Sequence, residues 1–227
     1  MPDIKRSTLY ALCLLPLFSS PPAVASASAL CDAAALVASR QTGVPLSILR
    51  AVALAETGHT ETDSQAFSSW PWAVQSQNRG NWFDTKETAI SYVQTLLGAG
   101  TRNVDIGCFQ LNFHWHGANF NSLEEMINPT NNALYAAQYL DHLFQQTNDW
   151  RTAVGRYHSK DSARANAYVQ RLEKIYATHL ASASNGTSQP ARPDDQPAIA
   201  PRFGLTKARG AIIQAVEKPR SLIAGSP

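Results

Sequence analysis

ILRAVALAETG, residues 48–58, is an apolar run that closes on a single carboxylate. Read as a helix, it places Leu49 two turns before Glu56, with Val52 and Ala53 one turn before it on the same stripe. The acid therefore falls on the apolar face. An ionised carboxylate is costly to bury unless it is paired, so Glu56 is expected to have a partner, to point into a cleft, or to carry a raised pKa. The competing reading is a helix-end acid turned to solvent, because Gly58 follows at once.

Outward from this stretch, helical periodicity dominates residues 30–180. The pattern predicts helices at 30–41, 47–57, 86–98, 130–147, 150–158 and 162–180. Ser47 after Pro45, Asp84 and Thr85, and Pro129-Thr130 are suitable helix starts, while Gly43, Gly58, Gly98 and Gly100 mark ends. WPWAVQSQNRGNWFDT, residues 70–85, is the exception. Aromatic and β-branched residues flank QNRG, which predicts one small hairpin with its turn near Asn78 to Gly80 and no other strand. The chain has no internal repeat.

With 227 residues and 44% hydrophobic content, the chain has material for one sizeable core plus tails. A net charge of +2 with 16% charged residues supplies no basic block for a nucleic-acid partner. Lys5 and Arg6, the apolar stretch from Leu9 to Phe18, and the small residues Ala23-Val24-Ala25 or Ala27-Ser28-Ala29 read as a secretory signal over residues 1–29. Leu30 before Cys31 fits a lipoprotein signal poorly, and no stretch reaches the roughly 20 apolar residues of a spanning helix. Once Cys13 leaves with the signal, Cys31 and Cys108 can pair in an oxidising compartment; the alternative is two buried thiols. Residues 181–227 shift to Ala, Ser, Pro, Gly and Asp, a composition expected to stay a disordered tail. Within it, residues 207–218 carry the pattern of a short amphipathic helix for docking on a partner, although a weakly ordered terminus is the favoured reading.

Three further patterns follow Glu56-Thr57 in fixed order: Gly107-Cys108-Phe109-Gln110, Asn128-Pro129-Thr130-Asn131-Asn132 and Tyr157-His158. Each is weak alone; together, in this order, they resemble the soluble-type (SLT, family 1) lytic transglycosylases. That family carries Glu-Ser, Gly-x-Met-Gln, Asn-Pro-x-x-Asn and Tyr-Asn at these places. Thr57, Phe109 and His158 depart from the pattern. PWAVQ, VDIGCFQLNFHWH and AVGRYHS are similar to an alphaproteobacterial periplasmic subgroup that includes flagellum-associated enzymes.

The resemblance implies a mainly α, lysozyme-like (goose-type) single domain over residues 30–180, with the hairpin beside a cleft. It implies a lyase that cleaves the MurNAc-GlcNAc β-1,4 bond of peptidoglycan without water, leaving 1,6-anhydro-MurNAc ends. Glu56 would be the sole acid and base, its proton retained in an apolar setting as for lysozyme's glutamate, a comparison long used to illustrate such shifts. Thr57, Phe109, Gln110 and Tyr157 would contact substrate: Thr57 with its hydroxyl unless that bonds back to its helix, Phe109 as cleft wall, Gln110 with its amide. Tyr157 would also orient Glu56, and Asn132 would hold the fold through helix-start bonds. No cofactor and no metal are implied. His114-x-His116 is a weak metal pattern, since a structural ion needs further ligands. A periplasmic monomer is expected, with glycan strands as partner and a flagellar or secretion-system protein reached through the tail.

Two other functions stay open at this point. One is a hydrolytic muramidase, with Glu61, Asp63, Asp84 or Asp105 as a second acid. The other is a catalytically idle peptidoglycan-binding scaffold. Trp70, Trp72, Trp82, Phe83, Phe113 and Trp115 gather near the hairpin and the GCFQ loop, where one or two flat rings are expected on sugar and the rest in the core.

Overall fold

A computed structural model describes residues 26–61 and 65–180. The signal assigned to the N-terminus, apart from its last four residues, and the tail with its amphipathic segment lie outside these residues.

Eight α-helices are present among the described residues: α1 (Ala27–Thr42), α2 (Leu46–Thr57), α3 (Lys86–Gly98), α4 (Phe113–His116), α5 (Leu123–Ile127), α6 (Pro129–Thr147), α7 (Trp150–His158) and α8 (Ser162–Ile175). Helix α1 packs along α6, α6 on α7 and α7 on α8; α2 lies against both α1 and α8. The sequence AVALA makes α2 the most enclosed element. Leu49, Val52 and Ala53 on the Glu56 stripe are buried, and Ile48, Ala51 and Ala55 are buried around them. The six long helices match the expected spans to within a few residues, because each carries enough turns for its period to show. The expected helix to Leu180 ends at Ile175, however, and continues as one π-helical turn, Tyr176–Leu180.

Helix starts depend on specific side chains. Thr85 accepts the Thr88 N–H at 3.2 Å, as expected of an N-cap. At α6 the cap is Asn128, whose Oδ1 takes the N–H groups of Thr130 and Asn131 at 3.0 and 3.2 Å, with Pro129 in the first helical position. Ser47 lies inside the first turn of α2, and its cap position is Pro45. Gly58 ends α2 with φ −60°, for lack of space: a Cβ there would lie 2.3 Å from the Leu54 carbonyl oxygen and 2.4 Å from Phe67.

The expected hairpin is present as β3 (Ala73–Ser76) against β4 (Arg79–Trp82), with Gln77 and Asn78 both at positive φ in the turn. The turn therefore lies one residue before the expected place. The single-hairpin expectation is corrected: β1 (His59–Thr60) pairs with β2 (Phe67–Ser68), and β5 (Val104–Ile106) and β6 (Leu111–Asn112) extend the hairpin into a sheet of order β4-β3-β5-β6. Strands of two or three residues are too short to show a period-2 pattern, and the four- and five-residue helices α4 and α5 were hidden for the same reason.

Candidate active site

Glu56 sits at the penultimate position of α2, on the stripe that Leu49, Val52 and Ala53 bury. Its side chain is mostly enclosed, which sets aside the solvent-facing reading. Burial pushes its pKa from the usual carboxyl range up to about 7; nearby Asp105 adds to the rise, while Tyr168 and Arg171 oppose it. A carboxyl titrating there is present in both protonation states near neutral pH.

The residue that touches Glu56 is Tyr168 of α8, whose hydroxyl donates to Oε1 at 2.5 Å. Tyr168 is buried and continues a stripe with Leu172 and Ile175. The His158 ring stacks on it, centroids 4.3 Å apart and planes 2° apart. Burial and the cations Arg171 and Arg164 hold His158 below the usual imidazole pKa, so the ring that backs Tyr168 is neutral at physiological pH. Sequence reasoning missed Tyr168. The signal available was a tyrosine on an apolar helical stripe, whose hydroxyl would need a partner.

Tyr157 was expected to orient Glu56. Its hydroxyl instead donates to the Phe109 carbonyl at 2.8 Å, although it lies near enough to Glu56 for the carboxylate to raise its pKa along with burial. The Phe109 side chain is fully buried, so the expectation that it walls a cleft is corrected: it anchors the GCFQ loop in the core. The Thr57 hydroxyl donates to Ala53 O at 3.0 Å and accepts the Trp70 N–H at 3.0 Å. With that residue 1% exposed, the bond back to its own helix is the reading that holds, and substrate contact is not available to it.

The loop around Cys108 is held by Asn132. Its Oδ1 accepts the Phe109 N–H at 2.9 Å, and its Nδ2 donates to Ile106 O and Met126 O at 3.0 and 2.9 Å. Asn132 was expected to make helix-start bonds; these belong to Asn128, and Asn132 bonds the loop instead. Gly107 is required at φ +80°, where a Cβ would approach Asn132 Nδ2 to 2.8 Å. Gln110, at φ +46°, spends its amide N–H groups on Ala73 O and Gly107 O, which leaves its amide oxygen as the end able to meet a ligand. Cys108 is bonded to Cys31, which ties this loop to α1.

Asp105 on β5 is held by Asn112 at 2.7 Å, and burial raises its pKa. Of the other candidate second acids, Glu61 accepts from Ser68 at 2.5 Å, Asp84 is exposed, and Asp63 lies outside the described residues. His114 and His116 lie on helical α4 instead of a strand, with His116 against the Tyr135 hydroxyl at 3.0 Å. Among the described residues no three His, Cys, Asp or Glu side chains converge as for a metal. A surface concavity of about 510 Å³ beside Arg50 and Phe67 does not include Glu56.

A mainly helical domain that holds one desolvated carboxyl at the edge of its core, titrating near neutral pH, has an arrangement that suits general-acid chemistry. The family model described as Transglycosylase SLT domain matches residues 34–178, and the chain belongs to that family. Membership indicates lytic transglycosylase activity on peptidoglycan, a substrate compatible with a location outside the cytoplasm. No curated protein and no solved structure matches the chain. Among the described residues no helix is long and apolar enough to cross a membrane.

Proposed function

We propose that the protein cleaves the MurNAc-GlcNAc β-1,4 bond with Glu56 as its only acid and base, releasing 1,6-anhydro-MurNAc ends. The observation that carries this reading is the Glu56 carboxyl raised to about 7 by burial and held by Tyr168. In the first step Glu56 gives its proton to the glycosidic oxygen as the bond to C1 breaks. The acetamido carbonyl of the same sugar takes up the bond at C1. In the second step the Glu56 carboxylate removes the proton of the 6-hydroxyl, whose oxygen displaces the acetamido group at C1. Glu56 ends protonated, ready for another cycle, and a group titrating near 7 suits both halves.

Export through residues 1–29 brings the enzyme to the periplasmic wall, where it acts as a monomer. The likeness of PWAVQ and VDIGCFQLNFHWH to the flagellum-associated subgroup supports local wall opening for flagellar or secretion-system assembly, with residues 181–227 as the partner contact.

One observation favours the hydrolytic muramidase: Asp105 acts electrostatically on Glu56 and is a second carboxyl near it. Mass spectrometry of digested sacculi separates the two. The transglycosylase yields muramic ends lighter by one water and Glu56→Gln yields no soluble fragments while still binding the wall. Reducing muramic ends would establish the muramidase, and cleavage by Glu56→Gln would remove Glu56 from the chemistry.

A further inference from the structure

Glu56 lies at the end of α2 and Tyr168 in the middle of α8, so the 2.5 Å bond between them depends on how the phenol is held. Helix packing buries Tyr168 with Leu172 and Ile175, but packing on one stripe leaves the ring free to turn about its two side-chain bonds. Its flat face is covered from another element. His158, the last residue of α7, lies on it with centroids 4.3 Å apart and planes 2° apart. Two flat rings in parallel fix the plane of the phenol, and with it the line along which the hydroxyl meets Oε1.

Local sequence carries His158 to that place. Gly155, three residues earlier in α7, lets the two helices approach: a Cβ there would lie 3.2 Å from the Ala165 Cβ and 3.4 Å from Val169. The Ser159 N–H donates to Gly155 O at 3.0 Å and closes α7 immediately after His158. The turn is then tied down, since the Asp161 N–H donates to Ser159 Oγ at 3.1 Å and Asp161 Oδ1 accepts the Arg164 N–H at 2.9 Å to start α8. Burial, with Arg171 and Arg164 acting in the same sense, disfavours the imidazolium, so the ring in the stack is the neutral one. The SLT pattern carries asparagine where this chain has His158, and an amide is too small to cover a phenol.

We propose that His158 is a positioning residue: by stacking on Tyr168 it aims the phenol that holds Glu56, and through that bond it orients the acid. The proposal rests on Glu56 as the acid of the function given above. The titratable and charged groups that act on Glu56 are Tyr168, Arg171 and Asp105, with Tyr157 close by. Among the described residues only Tyr168 bonds it. A phenol that loses its backing ring therefore leaves a desolvated carboxyl with less support for its charged form, and leaves its proton less well aimed at the bridging oxygen.

The test compares the full chain with His158→Asn, His158→Phe, Tyr168→Phe and the pair His158→Asn with Tyr168→Phe. A 13C NMR titration of the Glu56 carboxyl needs no substrate, and soluble glycan strands released from sacculi give kcat and KM. His158→Asn is expected to raise the Glu56 midpoint by about half a pH unit and to lower kcat about tenfold, with KM within about twofold of wild type. His158→Phe keeps a flat ring on the phenol and retains the wild-type midpoint and kcat. With Tyr168→Phe in place no hydroxyl is left to aim, so adding His158→Asn moves the midpoint no further. An unshifted midpoint in His158→Asn overturns the role, and so does an equal shift in His158→Phe or a full further shift in the Tyr168→Phe background. His158 is exposed, so its variants leave the core intact; should His158→Asn fail to fold, His158→Gln takes its place with the same expected outcome. A wild type that releases no fragments from sacculi overturns the function, while the titration still decides the stack; a cleaving wild type with an unshifted His158→Asn overturns only the positioning.

Discussion

At the residue scale, Glu56 and Tyr168 set each other's chemistry. Burial raises the Glu56 pKa, and the Tyr168 hydroxyl, by bonding the carboxylate, partly offsets that rise. In the proposed mechanism Glu56 must carry its proton to protonate the bridging oxygen, so kcat/KM is expected to fall as pH rises through about 7. Tyr168→Phe removes the bond that favours the charged form. It therefore raises the Glu56 pKa further and moves this alkaline limb to higher pH; a limb displaced to lower pH in the pH-rate profile would contradict the assigned role. Glu56 was legible in the sequence because an acid on an apolar stripe is a conflict that demands a reason. Tyr168 was not, because a tyrosine with no motif around it shows only its apolar body. The family pattern drew attention to Tyr157, whose hydroxyl serves the loop carbonyl of Phe109.

At the element scale, the GCFQ loop is shaped from beneath. Asn132 satisfies one N–H and two carbonyls of that region, and Gly107 gives it room. Asn132→Ala leaves these buried groups without partners, and urea denaturation is expected to show a loss of about 3 kcal/mol or more, with activity falling as the loop loosens. A loss below about 1 kcal/mol would mean that the loop is held otherwise. The motif told of Asn132 without telling its use, since three bonds reaching across the chain leave no local periodicity. The same limit hid β1, β2, β5 and β6: their pairing is a property of distant segments, whereas the long helices declare themselves within a few turns.

At the scale of the whole molecule, the core around α2 supplies the desolvation, and the Cys31–Cys108 bond joins α1 to the loop behind the site across 77 residues. Closing a loop of that length restricts the unfolded chain, so reduction, or Cys31→Ser with Cys108→Ser, is expected to cost about 4 kcal/mol in denaturant midpoint measurements. An unchanged midpoint would remove the bond from the stability of the domain. The cysteine pair was legible from the count once Cys13 is assigned to the expected signal; its role in tying the GCFQ loop to α1 required the fold. Everything in the proposed chemistry depends on the fold raising the pKa of one carboxyl into the neutral range. The direct measurement is a 13C NMR titration of the Glu56 side-chain carboxyl in the intact protein. A midpoint at about 7 is the predicted result, and a midpoint near 4.5, the ordinary value for a glutamate, would contradict the account.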